Sequence, residues 1–246
     1  MELLIDIGNT SLKWTLAKPG PHASLEPMRT LRHHGGMPLD LIAAWEPLPS
    51  PARVRVSSVA GPALAQPLSK VCRALWGLEP ELVQPRPNSM GLVIAYADPL
   101  SLGVDRWLAL LAGHSLCQGP VLILDAGTAI TFDLLLATGH HLGGLILPGI
   151  ATMRQGLLAN TQIPRVEPQE STAYWARDTA TAIAVGTLDA PTALAERLAR
   201  QLALEAGVEP TLLITGGDAE RLQPRLQTPS RLIPDLVLQG LALVPD

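Results

Sequence analysis

The chain has 246 residues, 47% of them apolar and 16% charged, with a formal charge of −4 at pH 7. That length allows one large domain or two of roughly 120 residues each, and the apolar content excludes an intrinsically disordered protein. A pI near 5.9 and only 3% aromatic residues leave neither a basic surface nor stacking platforms for a polynucleotide, so no nucleic-acid partner is expected.

The first element is an apolar strand ending in an acidic glycine turn, Leu3-Leu4-Ile5-Asp6-Ile7-Gly8-Asn9-Thr10, and a second strand-forming run follows, Ser11-Leu12-Lys13-Trp14-Thr15-Leu16. The unit is a hairpin with a polar tip. Met28 to His33 adds a third strand, a polar, proline-bearing loop leads to a short helix around Leu39 to Trp45, and the alternation from Arg53 to Val59 reads as a half-buried strand. Gly61-Pro62 opens a helix to about Trp76, with the proline in its first turn. Glu81 to Gln84 is a short strand and Pro85 to Ser89 a proline-punctuated loop. From Leu102 to about Leu116, the apolar residues Val104, Leu108, Leu111 and Leu116 give a helix one buried face, and Gly119-Pro120 ends it.

At Val121 the opening pattern returns, as Leu122-Ile123-Leu124-Asp125-Ala126-Gly127-Thr128-Ala129 followed by Ile130-Thr131-Phe132-Asp133-Leu134-Leu135. Strands at 121–125, 129–136 and 141–147 give way to helices near 150–158 and 176–203. A strand from Thr211 to Thr215 then runs into Gly216-Gly217-Asp218, and two helical segments close the chain. Sheet first and helices after, in both halves, is the order of a duplicated α/β core, divided here into residues 1–118 and 119–246.

Each tip places a carboxylate at the end of a buried strand, then a glycine that admits close backbone approach, then hydroxyl or amide side chains. One acidic glycine turn is ordinary in hairpins; the duplication gives the pattern weight. Two such tips facing each other across a cleft would clamp a phosphate, with N–H groups and hydroxyls on its oxygens and the carboxylates holding a cation. The layout resembles the actin, hexokinase and sugar-kinase superfamily, a two-lobed, duplicated, ribonuclease H-like α/β fold.

Other residues bear on chemistry. Asp105 stands in the first turn of the 102–116 helix, where the helix dipole favours a carboxylate, and Arg106 beside it is able to hold an anion; the pair suits phosphoryl transfer. Gly143-Gly144 to Pro148-Gly149 is a strand bracketed by glycines. Thr215-Gly216-Gly217-Asp218 reads equally as a close approach to a flat ligand such as adenine and as a plain turn with an Asp N-cap. Lys13 is either a phosphate ligand or a solvated strand lysine. His33-His34 and His140-His141 point to opposite faces if in strands and so cannot readily share a metal. Walker A, dinucleotide-fold and Ser/His/Asp signatures are lacking. Cys72 and Cys117 form no C-x-x-C pair and the chain begins on a strand without a signal peptide, so a reducing cytoplasm is expected. No apolar stretch is long enough for a spanning helix, and no membrane partner is expected.

In order, these motifs resemble the type III pantothenate kinase family. The resemblance is carried by Asp6-x-Gly8-Asn9-Thr10 with Lys13, then Tyr96, Pro99 and Leu102-Gly103-x-Asp105-Arg106-Trp107. Asp125-Ala126-Gly127-Thr128-Ala129, Gly143-Gly144 to Pro148-Gly149 and Thr215-Gly216-Gly217 complete it. It implies transfer of the γ-phosphoryl of ATP to the primary hydroxyl of pantothenate, the first step toward coenzyme A. On the matching positions it implies ATP binding by Asp6, Ile7, Gly8, Asn9, Thr10, Ser11, Leu12, Lys13 and Thr128, with Asp6 near Mg2+. Asp125 would bind the monovalent cation, K+ or NH4+. Tyr96, Gly103, Val104, Asp105 and Arg106 would line the pantothenate pocket, Asp105 taking the hydroxyl proton. Thr179, with Gly186 seven residues on, matches a substrate-contacting threonine; Thr181 stands close by, and Asp178 adds a negative charge near an anionic substrate. The resemblance also implies a homodimer with the substrate pocket at the subunit interface. Two rival readings are a regulatory accessory protein of the same fold acting on transcription, which retention of Asp105, Arg106 and both tips argues against, and a kinase of another small alcohol such as a sugar, for whose inserted loops this length leaves little room.

Overall fold

The structure, a computed structural model, describes residues 1–18, 24–33, 36–60, 62–163, 171 and 173–245. The chain forms two compact units, Met1–Leu116 together with Asp235–Asp246, and Cys117–Pro234.

The first unit holds strands β1 (Glu2–Ile7), β2 (Ser11–Ala17) and β3 (Arg29–Arg32), helix α1 (Leu39–Trp45), β4 (Arg53–Ser58), α2 (Pro62–Trp76) and β5 (Glu81–Leu82). A small hairpin of β6 (Asn88–Ser89) and β7 (Leu92–Val93) precedes α3 (Val104–Leu116). The sheet order is β3-β2-β1-β4-β5. β1 is antiparallel to β2 and parallel to β4, so it lies inside the sheet, and its Leu3, Leu4, Ile5 and Ile7 are wholly buried. On one face Leu3, Ile5 and Ile7 pack with Val54, Val56, Trp14 and the α1 and α2 residues Leu41, Trp45, Leu64 and Leu68.

The second unit repeats the plan with β8 (Val121–Ala126), β9 (Ala129–Leu135), β10 (His141–Pro148), α4 (Ile150–Ala159), α5 (Thr179–Ala206), β11 (Thr211–Thr215), α6 (Ala219–Leu222) and β12 (Ser230–Leu232). Its order, β10-β9-β8-β11-β12, is that of the first sheet element for element. Leu122, Leu124, Phe132, Leu212 and Ile214 pack on Ile150, Leu188, Ala195 and Leu202. Each sheet is an antiparallel three-strand meander with two further strands parallel to its centre, the duplicated ribonuclease H-like arrangement of the actin and hexokinase fold.

The last helix, α7 (Leu236–Leu243), packs on α3, β1, β2 and β4. Residues 235–246, expected with the second half, therefore cluster with the first. A Cβ on Gly240 would run into the Leu108 carbonyl, so the α3–α7 crossing depends on glycine there.

Element ends differ from expectation for local reasons. The segment before α3 is a 3-10 turn, Pro99–Ser101, capped by the Asp98 carboxylate on the Leu100 N–H at 3.1 Å, so the α-helix starts at Val104 rather than Leu102. α5 starts at Thr179, not 176, because Asp178 caps it, and runs on to Gly207, whose φ of +71° ends it. β5 stops at Leu82, and the expected proline loop contains β6. β12 pairs in parallel with β11 where only helix was expected. Among the described residues no helix is long and apolar enough to cross a membrane. His34, one of the two histidines paired at the end of the third strand, lies outside the described residues.

Candidate active site

Asp6 is the penultimate residue of β1, in register with Lys13 of β2 and Ser57 of β4. An apolar central strand carries the carboxylate to its C-terminal end, where ligands of α/β sheets gather. Asp6 is only 7% exposed, and the buried Ser57 Oγ donates to its Oδ1 at 3.0 Å. The tip beyond it is tied on several sides. Gly8 N–H donates to the Ser11 carbonyl at 3.0 Å and Val59 N–H to the Ile7 carbonyl at 3.1 Å. His33 N–H donates to the Thr10 carbonyl at 2.9 Å, and the His33 ring Nε2 lies 2.9 Å from the Gly8 carbonyl. Asn9 and Thr10 are exposed and Ser11 and Lys13 half-buried. The side chains of Ile7 and Leu12 lie in the core, so only their main-chain groups are available to a ligand.

The second group in this unit gathers at the start of α3. Asp105 is half-buried and its Oδ1 accepts the Arg106 N–H at 2.8 Å. A Cβ on Gly103 would fall 2.6 Å from that same oxygen, so glycine leaves the carboxylate its place. Arg106 is 7% exposed; its Nη1 donates to the Tyr96 hydroxyl at 3.0 Å, and its guanidinium lies 5.7 Å from the Tyr96 ring centre. A cleft of about 600 Å³ opens beside these residues, lined by Ser58, Val59, Val83, Leu100, Gly103 and Val104. Its walls are mostly apolar, and it meets the C-terminal end of β4, as ligand pockets in α/β sheets do. A smaller cleft, about 370 Å³, has Arg53, Arg55, Arg86 and Glu81 in its lining. It is built at the opposite strand ends, where Arg53 pairs with Glu2 and Glu81, and Arg55 with Glu2 and the Val244 carbonyl, a network that ties the strands and the chain end together.

In the second unit Asp125 is again the penultimate residue of its strand, in register with Thr131 of β9 and Thr215 of β11. Asp125 is half-buried and Thr128 exposed. Both glycine motifs noted in the sequence shape this tip. Gly149 N–H donates to the Thr128 carbonyl at 2.9 Å, in a crossing so close that a Cβ on Gly149 would strike the Gly127 and Thr128 carbonyls. Gly216 has φ +95°, and a Cβ there would lie 2.5 Å from both the Ala126 carbonyl oxygen and Asp125 Oδ1. Asp218 N–H donates to the Ala126 carbonyl at 2.9 Å, while its carboxylate takes Arg221 at 2.5 Å and caps no helix.

Thr179 is the exposed first residue of α5. Asp178 before it accepts Thr181 N–H and the Thr181 hydroxyl, each at 2.8 Å. The Thr181 backbone bond first, and then its hydroxyl, hold the Asp178 carboxyl below its ordinary range. Thr181 is thus engaged with the cap.

Among the described residues no group of three His, Cys, Asp or Glu side chains forms a metal cage. The histidines have other partners: His140 Nδ1 is 2.9 Å from the Thr138 hydroxyl and the buried His141 is 3.0 Å from Asp133. Sequence reading missed Ser57, His33 and Thr152, whose hydroxyl donates to the Thr128 carbonyl at 3.2 Å. Each reaches a tip from 24 to 51 residues away, so no local motif signals it.

The sequence model of the type III pantothenate kinase family matches residues 2–201. A type III pantothenate kinase of Nitrosococcus oceani is 39% identical over 99% of this chain and 93% of its own length. One from Azoarcus sp. is 38% identical over 99% and 90%. Among solved structures, a Campylobacter jejuni protein described as a conserved Baf family transcriptional activator superposes with a TM-score of 0.60 at 22% identity, covering 97% of this chain and 94% of its own. Ethanolamine utilization protein EutJ of Carboxydothermus hydrogenoformans gives 0.51 at 12% identity over 99% and 89%. These two show a shared fold. The family match across most of the chain, and relatives at this identity over nearly their whole length, go further: the chain belongs to the type III pantothenate kinase family.

Proposed function

We infer that the chain transfers the γ-phosphoryl group of ATP to the primary hydroxyl of pantothenate, giving phosphopantothenate in the first step of coenzyme A biosynthesis. The observation that carries the assignment of roles is the group at the start of α3: Asp105 oriented by the Arg106 N–H, and a buried Arg106 tied to Tyr96, beside an apolar cleft. Phosphoryl transfer asks a protein mainly for positioning and charge neutralisation, so one carboxylate to take the hydroxyl proton suffices. Asp105 fills that role. Arg106 and Tyr96 hold the pantothenate carboxylate end, Gly103 and Val104 line its apolar portion, and Thr179 adds a hydroxyl contact. The tip from Asp6 to Lys13 binds the ATP phosphates, and Thr128 is a further ATP-binding residue.

Mg2+ fits Asp6, because that ion takes one or two carboxylates and draws its other ligands from phosphate and water. Bound there, it supplies neutralisation of phosphate charge. Asp125, half-buried near the end of β8, is the carboxylate proposed to hold the monovalent ion, K+ or NH4+. A homodimer in the cytoplasm completes the reading. The dimer is supported by the exposed Leu142, Leu145 and Ile146 on β10, an edge strand of the second sheet.

The test is product formation by the purified protein with ATP, Mg2+ and pantothenate, followed by mass spectrometry in K+, NH4+ or Na+ buffers. Phosphopantothenate is expected in the first two and little in the third. Absence of product in all three overturns the assignment and leaves a non-catalytic relative; equal product in all three removes the monovalent site.

A further inference from the structure

His33 follows directly after β3 and is 4% exposed. It grips the first tip twice: its main-chain N–H donates to the Thr10 carbonyl at 2.9 Å and its ring Nε2 stands 2.9 Å from the Gly8 carbonyl. A carbonyl oxygen only accepts, so the ring nitrogen facing it carries the hydrogen.

The peptide unit is planar and trans, so the carbonyl of one residue and the N–H of the next point in opposite directions. Fixing the Gly8 carbonyl toward His33 turns the Asn9 N–H away from it, and fixing the Thr10 carbonyl does the same for the Ser11 N–H. Two amide donors of the tip thereby take a set direction before any ligand arrives. Preset N–H groups in a turn are what anion-binding concavities are made from. The second tip is shaped by close glycine crossings and main-chain bonds at Gly149 and Gly216. In the first, one side chain from the far end of a neighbouring strand contributes to the same task.

We propose that His33 is a positioning residue for ATP, acting through the Gly8 carbonyl to orient the amides of the 8–11 turn toward the phosphates. The proposal rests on the assignment of that turn to ATP. Its ring N–H makes no contact with substrate; its effect passes through the backbone.

The experiment compares His33→Gln, which keeps a side-chain N–H donor of similar reach, with His33→Met, which keeps the length and lacks the donor. ATP and pantothenate are varied separately. His33→Met is expected to raise KM for ATP about tenfold, the scale of one lost hydrogen bond, with kcat and KM for pantothenate within about twofold of the parent. His33→Gln is expected to bring KM for ATP back to within about threefold. Should His33→Met fail to fold, His33→Phe, which keeps a ring without the N–H, carries the same expectation. The proposal is overturned by a parent-like KM for ATP in the donor-free variant, by Gln and Met being equally damaging, or by both KM values rising together. Thr10→Ala separates the two layers. A raised KM for ATP there, beside a parent-like value in His33→Met, removes His33 alone; an unchanged value in both variants removes the ATP assignment of the tip and the role of His33 with it.

Discussion

The Ser57 hydroxyl donates to Asp6 Oδ1 and the Arg106 N–H to Asp105 Oδ1. A hydrogen bond to a charged group is worth about 1.5–3 kcal/mol. Ser57→Ala is therefore expected to lower the melting temperature and to raise the Mg2+ concentration needed for half-maximal activity, read by titrating Mg2+ at saturating ATP. Arg106→Lys keeps the charge but loses the planar fork and its place on Tyr96. It is expected to raise KM for pantothenate by about tenfold or more with a smaller effect on kcat, and an unchanged KM would remove Arg106 from the pocket. The place of Asp6 was legible in the sequence because strand, carboxylate and glycine sit in one short window, and that of Asp105 because it opens a helix beside Arg106. Ser57 was not, since its meeting with Asp6 spans 51 residues and depends on the parallel pairing of β1 with β4.

Among the elements, the strands at the centre of each sheet were readable from their apolar runs, and the helix ends were not, because caps decide them. Asp178 caps α5, and its carboxyl is held below the ordinary value of 3.8 by the Thr181 bonds. A folded value lowered in this way gives stability that is complete above the unfolded value and is lost as pH falls through the folded one. The difference in melting temperature between the parent and Asp178→Ala is thus expected to be full at neutral pH and to vanish in acid below that carboxylate range; a difference constant with pH contradicts the cap. The glycines of the second tip were visible as motifs, but their task, close crossing of the 125–128 turn, appears only in three dimensions. Gly216→Ala meets both a positive φ and a blocked Cβ. It is expected to cost about 1–3 kcal/mol for the backbone alone and to raise KM for ATP and the K+ requirement, measured by thermal melting and ATP titration.

At the scale of the whole molecule, the duplication seen in two acidic tips is a duplication of two sheets with the same strand order. The halves of the sequence and the units of the fold differ by two residues at the boundary and, more largely, at α7, which returns to the first unit. Nothing local in the run Leu236–Leu243 says which sheet it covers; in the fold it crosses α3 where Gly240 meets the Leu108 backbone too closely for a Cβ. Leu241 is wholly buried there, so Leu241→Ala is expected to cost about 2–5 kcal/mol by chemical denaturation, with hydrogen exchange rising in β1, β2, β4 and α3 before it rises in the second unit. The measurement that bears most directly on the whole account is turnover by Asp105→Asn, a substitution of nearly equal shape that removes the proposed base. With saturating ATP, Mg2+, K+ and pantothenate, kcat is expected to fall about 10²- to 10⁴-fold while the melting temperature and KM for ATP hold. Near-parent turnover by a folded Asp105→Asn would contradict it.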